Sequence, residues 1–252
     1  MVGLKDGETL DDLLIKGLQI IQKNKGFRFT LDSVLLAHFA PVRERDSIVD
    51  LGTGTGLIPL VLSTRAENIR IWGVEIQEEI ADMASRSVRL NNLQDIITIN
   101  QGDIRSIHKI LGEGNFTLVT CNPPYWTPRE GKLSSLETRA LARHELACSL
   151  EDVISCAGKL LAYHGRFAFI HRAERLADAF ALLRQNRLEP RILRFIHPFA
   201  GKNARHVLVE ARKQASPDLK VLSPLIIYEK PGRYTKEVLH WYGKEAEDSD
   251  SI

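Results

Sequence analysis

From about residue 46 the chain alternates short β-branched runs with segments of helical spacing, which confines it to a layered α/β fold with a mostly parallel sheet. Residues 47–51 read as the first strand and 57–64 as the helix after it, with Pro59 tolerable in its first turn. A second strand at 69–74 is followed by an amphipathic helix at 78–91, where Ile80, Met83, Ala84, Ser87, Val88 and Asn91 fall near one face. Strands at 96–99 and 116–121 come next. Ser149 with Asp152 three residues on is a capping-box pattern and opens a helix over 150–162. A strand at 165–170, a helix at 173–187 and an antiparallel pair, 191–196 with 206–211, complete seven strands joined at the end by a basic loop. The last strand is therefore antiparallel, and helices cover both faces. Residues 1–45 are expected to form a helical cap, 46–213 the main domain and 214–243 an extension packed on it. Glu245, Glu247, Asp248 and Asp250 mark 244–252 as a flexible acidic tail.

In such a sheet, ligands sit outside the carboxyl ends of the strands, so the first strand-to-helix turn is the place to look. It reads Asp50-Leu51-Gly52-Thr53-Gly54-Thr55-Gly56. Glycines alone would suit any tight turn. The Gly-X-Gly-X-Gly spacing after an acid, in place of the dinucleotide Gly-X-Gly-X-X-Gly, points away from NAD and toward S-adenosylmethionine. Glu75 ends the second strand, where a carboxylate can accept from a ribose diol, and Asp103 follows the third, where one can accept from an adenine amino group. Each acid by itself would pass for a solvated loop residue; three at successive strand ends form a set.

After the fourth strand comes Asn122-Pro123-Pro124-Tyr125. An exocyclic amine or an amide nitrogen is a poor nucleophile because its lone pair is delocalised. The Asn122 oxygen and a carbonyl of the Pro123-Pro124 turn can each accept one N–H and draw that nitrogen toward tetrahedral geometry, while proline fixes the turn in advance. Tyr125 offers a stacking face, worth about 1–3 kcal/mol for a nucleobase. No strong base is needed. In isolation the same residues would be an ordinary Asn/Pro turn; beside the glycine turn they read as the catalytic site of methyl transfer to a planar amine.

These features resemble the class I S-adenosylmethionine-dependent methyltransferases over most of residues 46–211, which implies a Rossmann-like sheet. The resemblance implies that Asp50, Gly52, Thr53, Gly54 and Gly56 meet the methionine end, Glu75 the ribose, and Asp103 with Ile76 and Ile104 the adenine. Phe27-Arg28-Phe29-Thr30-Leu31-Asp32 is similar to the element that closes over the methionine side, bringing in Phe29 and Asp32, with Asn122 at the methyl. The Asn-Pro-Pro-Tyr box resembles that of enzymes acting on adenine N6 or on release-factor glutamine. Further stretches, among them residues 6–13, 29–37, 139–145, 201–210 and 224–228, resemble the bacterial tRNA(Val) (adenine(37)-N6)-methyltransferases over nearly the whole chain. That family implies a tRNA substrate, with adenosine 37 as acceptor. The alternatives are N5-glutamine methylation of a release factor, or a catalytically silent RNA-binding module on the same scaffold.

Charge agrees with RNA. Residues 123–213 carry sixteen Lys or Arg against nine Asp or Glu, a local +7 within an overall +2, so the second half is the polyanion-facing side. Arg129, Lys132, Arg139, Arg143, Lys202 and Arg205 fall in loops on or joined to the catalytic edge. Each alone is an ordinary solvated charge. Trp126 reads either as more stacking surface or as packing beside proline, and His144 as a loop organiser or phosphate contact, since no second His or Cys stands at ligand spacing. No metal is expected. Cys121, Cys148 and Cys156 are odd in number and lack CxxC spacing, which speaks against a disulfide framework. No basic-then-apolar leader and no bilayer-length apolar stretch is present, which predicts a cytoplasmic protein without membrane contact. Oligomeric state stays open between monomer and weak dimer.

Overall fold

The computed structural model describes residues 3–25, 30–123 and 148–243. The chain opens with a hairpin, β1 (Glu8–Asp12) and β2 (Gln19–Lys23), and a helix α1 (Leu31–Phe39). There follow β3 (Ser47–Leu51), α2 (Leu57–Leu62), β4 (Arg70–Glu75), α3 (Glu78–Leu90), β5 (Ile97–Gln101), α4 (Ile104–Leu111) and β6 (Phe116–Cys121). Beyond residue 147 come α5 (Leu150–Leu160), β7 (Leu161–Arg172), α6 (Leu176–Gln185), β8 (Leu188–Phe199) and β9 (His206–Lys213). The last elements are β10 (Lys220–Val221), β11 (Leu225–Lys230), β12 (Arg233–Tyr234) and α7 (Lys236–Trp241).

The main sheet runs β12-β11-β8-β9-β7-β6-β3-β4-β5. Strands β5, β4, β3, β6 and β7 are parallel, and β9 lies antiparallel between β7 and β8. Strands β3 to β9 are the seven-stranded, mostly parallel sheet that the sequence predicts. The segment after residue 213 extends the sheet: β10 and β11 occupy successive stretches of the free edge of β8, β12 turns back on β11, and Val238 of α7 joins the core.

Side chains of the central strands are apolar on both faces, as a parallel sheet between two helical layers requires. Ile48, Ile71, Leu118, Ala168 and Leu208 meet α1, α2 and Val88 of α3; Val49, Val119, Phe167, Phe169 and Val209 meet α4, α5 and α6. Helix α5 starts on the capping box, with Ser149 Oγ accepting from the Asp152 amide at 3.1 Å and Asp152 Oδ2 from the Ser149 amide at 2.9 Å.

One expectation is corrected. Residues 8–23 form a hairpin where the sequence predicts helices. Its support is tertiary: the Ile21 amide donates to Ser87 Oγ and the Gln19 amide to Asn91 Oδ1, each at 2.9 Å, so α3 takes up amides of β2. Arg86 of α3 forms a buried ion pair with Glu8. The predicted tail, 244–252, lies outside the described residues.

Candidate active site

At the carboxyl end of β3 the chain turns through Gly52, Gly54 and Gly56 with φ of 71°, 57° and 92°. The alternate spacing in the sequence is thus a backbone requirement, because each glycine sits where a side chain costs about 1 kcal/mol or more. A methyl at Gly56 would also meet the Ala84 Cβ of α3 at 3.3 Å. The turn is pinned to β4, with the Thr53 amide donating to the Val74 carbonyl at 2.8 Å and the Gly54 amide to Glu75 Oε2 at 3.1 Å. Glu75 Oε1 accepts from the Gln77 amide at 3.0 Å. Glu75 thereby shapes the glycine turn while remaining an acceptor at the strand end, beside the exposed Ile76.

Asp50 is fully buried. Its register neighbours are Gly73 on β4 and Thr120 on β6. Thr120 Oγ1 donates to Asp50 Oδ1 at 2.7 Å, and Oδ2 has no partner among the described residues. Burial pushes this carboxyl up to about 7, and the charge of Glu75 adds to the rise; the Thr120 hydroxyl opposes it. The Thr53 hydroxyl is near enough to favour the ionised form, and neither it nor the buried Thr55 hydroxyl has a hydrogen-bond partner among the described residues. Gly73 leaves room for this arrangement: a methyl there would come within 3.0 Å of the Thr53 side chain.

Asp103 caps α4, accepting from the Arg105 amide at 2.8 Å, and it also pairs with the Arg105 guanidinium, with Nε at 3.0 Å from both oxygens. That guanidinium holds the Asp103 carboxyl below the usual range. Ile104 opens the helix, its Cδ1 3.9 Å from where a Gly52 methyl would stand, so the glycine turn and the start of α4 face each other.

Asn122 follows β6 directly, and Pro123 after it is buried. The Asn122 amide donates through Nδ2 to Ser33 Oγ of α1 at 3.0 Å. Asp32 sits beside Ser33 in the first turn of α1, half-buried. Lys202 and Arg205 are exposed on the loop between β8 and β9, on the same edge of the sheet as Asn122. The Arg205 carbonyl accepts from Ala173 at 2.9 Å, tying that loop to the end of β7. Phe29, Pro124, Tyr125, Trp126, Arg129, Lys132, Arg139, Arg143 and His144 lie outside the described residues.

The model of the methyltransferase small domain family matches residues 30–181, from the residue before α1 into α6. The chain belongs to that family. It is a methyltransferase. A tRNA1(Val) (adenine(37)-N6)-methyltransferase of Porphyromonas gingivalis is 32% identical over 239 residues, covering 90% of this chain and 91% of the relative. One of the same name from Haemophilus influenzae is 28% identical over 227 residues, covering 88% and 92%. A predicted O-methyltransferase from Agrobacterium tumefaciens has the same fold, with a TM-score of 0.68 at 24% identity over 84% of this chain and 95% of that one.

The methyl donor of this methyltransferase is S-adenosylmethionine, and the residues present fit it. A buried carboxyl with an unpartnered oxygen, two unpartnered hydroxyls and a glycine turn that tolerates no side chains form an acceptor-rich crevice suited to a cationic group. Sequence reading missed Ser33 and Thr120. Thr120 becomes visible once β3 and β6 are known to be neighbours, since it is the register partner of Asp50; Ser33 carries no local signal.

Proposed function

We propose that this methyltransferase transfers the methyl group of S-adenosylmethionine to N6 of an adenosine in tRNA, adenosine 37 beside the anticodon of tRNA(Val). The observation that carries the reading is the position of Asn122. It stands two residues beyond Thr120, whose hydroxyl holds Asp50 at 2.7 Å, so an amide acceptor and the acid–glycine crevice lie at the carboxyl ends of adjacent parallel strands. The names and coverage of the relatives support the choice of a tRNA adenine.

Bound S-adenosylmethionine supplies an electrophilic methyl group. Asp50, Thr53 and the turn Gly52–Gly54–Gly56 hold its methionine end with Phe29 and Asp32, Glu75 its ribose, and Asp103, Ile76 and Ile104 its adenine. For the last of these, Asp103 shares its carboxylate between Arg105 and the ligand. Asn122 Oδ1 and the Pro123 carbonyl accept the two N6 hydrogens and turn the N6 lone pair toward the methyl; Pro124 stiffens the turn and Tyr125 stacks on the base. The proton on N6 leaves to solvent afterwards, so neither a strong base nor a metal is called for. Lys202 and Arg205, with Trp126, Arg129, Lys132, Arg139, Arg143 and His144, contact the RNA, chiefly its phosphates. An adenosine in a loop is splayed out at a cost of a few kcal/mol at most, about what is needed to reach Asn122. Among the described residues no helix is long and apolar enough to cross a membrane, and the cytoplasm, where tRNA is found, is the proposed location.

Incubation with labelled S-adenosylmethionine and unmodified tRNA is expected to yield N6-methyladenosine in nucleoside digests. Asn122→Ala is expected to lower the rate by about 10²-fold or more while leaving cofactor binding in place. Label in protein instead of RNA would favour glutamine methylation, failure to bind cofactor would favour a silent module, and no label in any RNA defeats the reading.

A further inference from the structure

Asparagine is an awkward residue for orienting an amine. Its two ends are nearly the same size and shape, yet one accepts hydrogen bonds and the other donates them. Rotation by half a turn about the last bond would present NH2 to the substrate amine and repel it. Something must decide which end faces the crevice. The Nδ2 of Asn122 donates to Ser33 Oγ at 3.0 Å. With the NH2 donating to α1 and the Ser33 hydroxyl acting as its acceptor, Oδ1 takes the opposite end of the amide. Ser33 is itself fixed: Val34, Leu35, Leu36 and Ala37, the residues that follow it, are buried, and the Ser33 amide donates to the Thr30 carbonyl at 3.1 Å.

We infer that Ser33 is a positioning residue that sets the sense of the Asn122 amide, so that its oxygen is the atom offered to the substrate N–H. The inference rests on the proposed role of Asn122 in amine methylation. It assigns a task to the first turn of α1 beyond closing over the methionine side. It also makes a demand that a packing role does not. A carboxylate has two equivalent ends and needs no such orientation, so Ser33 should matter when residue 122 is Asn and cease to matter when it is Asp.

The test is a double-mutant cycle on tRNA methylation with Ser33→Ala, Ser33→Thr and Asn122→Asp. Ser33→Ala is expected to lower kcat about five- to tenfold, the effect of one lost hydrogen bond, with KM for tRNA and cofactor within about twofold. Ser33→Thr, which keeps the hydroxyl, should retain at least about half of the wild-type kcat. In the Asn122→Asp background Ser33→Ala should change kcat by less than about twofold. Equal losses in both backgrounds, or no loss in either, overturn the inference. A second readout needs no substrate: in ¹⁵N-resolved NMR the Asn122 side-chain NH2 pair should shift in Ser33→Ala and not in Ser33→Thr. An NH2 pair indifferent to Ser33→Ala also overturns it. A wild-type protein that methylates no RNA, with an Asn122 signal still governed by Ser33, defeats the proposed function and leaves the Ser33 contact standing.

Discussion

Asp50 shows what a buried carboxyl costs a fold that gives it few partners. Its surroundings, Thr120 and the acidic Glu75, bring no positive charge to a carboxyl that burial has lifted to about 7. Between its ordinary value near 3.8 and about 7, the folded chain therefore holds a proton that the unfolded chain has released. Stability falls as pH rises through that window and is level above it, by up to about 4 kcal/mol for a shift of this size. Asp50→Asn removes the cost: without cofactor, the variant is expected to melt several degrees above the wild type at pH 8 and much closer to it at pH 5, as thermal scans would record. The same exchange should weaken cofactor binding. In the wild type, cofactor affinity should rise as pH climbs through about 7, with protons released on binding in calorimetry. At this scale the glycines and strand-end acids are legible in sequence because their constraint is local, a left-handed φ or a place at the end of a strand. Ser33 and Thr120 are not. Each acts through one bond to a residue 89 or 70 positions away, and a serine or threonine looks the same with or without such a partner.

Elements were legible where apolar runs coincide with backbone pairing. β3 and β6 fall on the residues that their β-branched runs predict. β7 and β8 run to Leu161–Arg172 and Leu188–Phe199, well past their apolar centres, because neighbouring strands satisfy their backbone groups regardless of side chain: β9 pairs with both, β6 with the start of β7 and β11 with the end of β8. The hairpin β1–β2 escaped for the opposite reason: its pairing is completed by Ser87, Asn91 and Arg86 of α3, none of them readable from residues 8–23. At the amino ends of the strands a buried cluster joins three elements. Arg166 of β7 pairs with Asp46 just before β3 and donates to the carbonyls of Thr117 and Pro41, while Thr117 Oγ1 donates to Asp46 at 2.7 Å. Arg166→Met leaves Asp46 buried without its counter-charge and is expected to cost about 3–5 kcal/mol in urea unfolding. Adding Asp46→Asn should recover part of that loss.

For the molecule as a whole, one arrangement links the ends of the described chain. α7 packs on α1, where the Trp241 ring stacks on His38 with centroids 5.4 Å apart, and Arg194, paired with Glu237, lies over the same Trp ring at 5.9 Å. Burial holds His38 down to about 4, so it stays neutral and stacked at physiological pH. Trp241→Ala is expected to lower turnover several-fold with cofactor affinity nearly unchanged, since it loosens α1, which carries Ser33, and leaves Asp50 and the glycine turn intact; paired kinetic and calorimetric titrations would separate the two. The stack also has a meaning in time. A ribosome releases α1 early, and β3 cannot be flanked on both sides until β6 has emerged, some seventy residues later. α1 is by then packed on α2 and the sheet, and its stack with Trp241 is added when residue 241 arrives. A nascent chain would thus complete the strands that flank the glycine turn well before the contact that braces the carboxyl-terminal turn of α1.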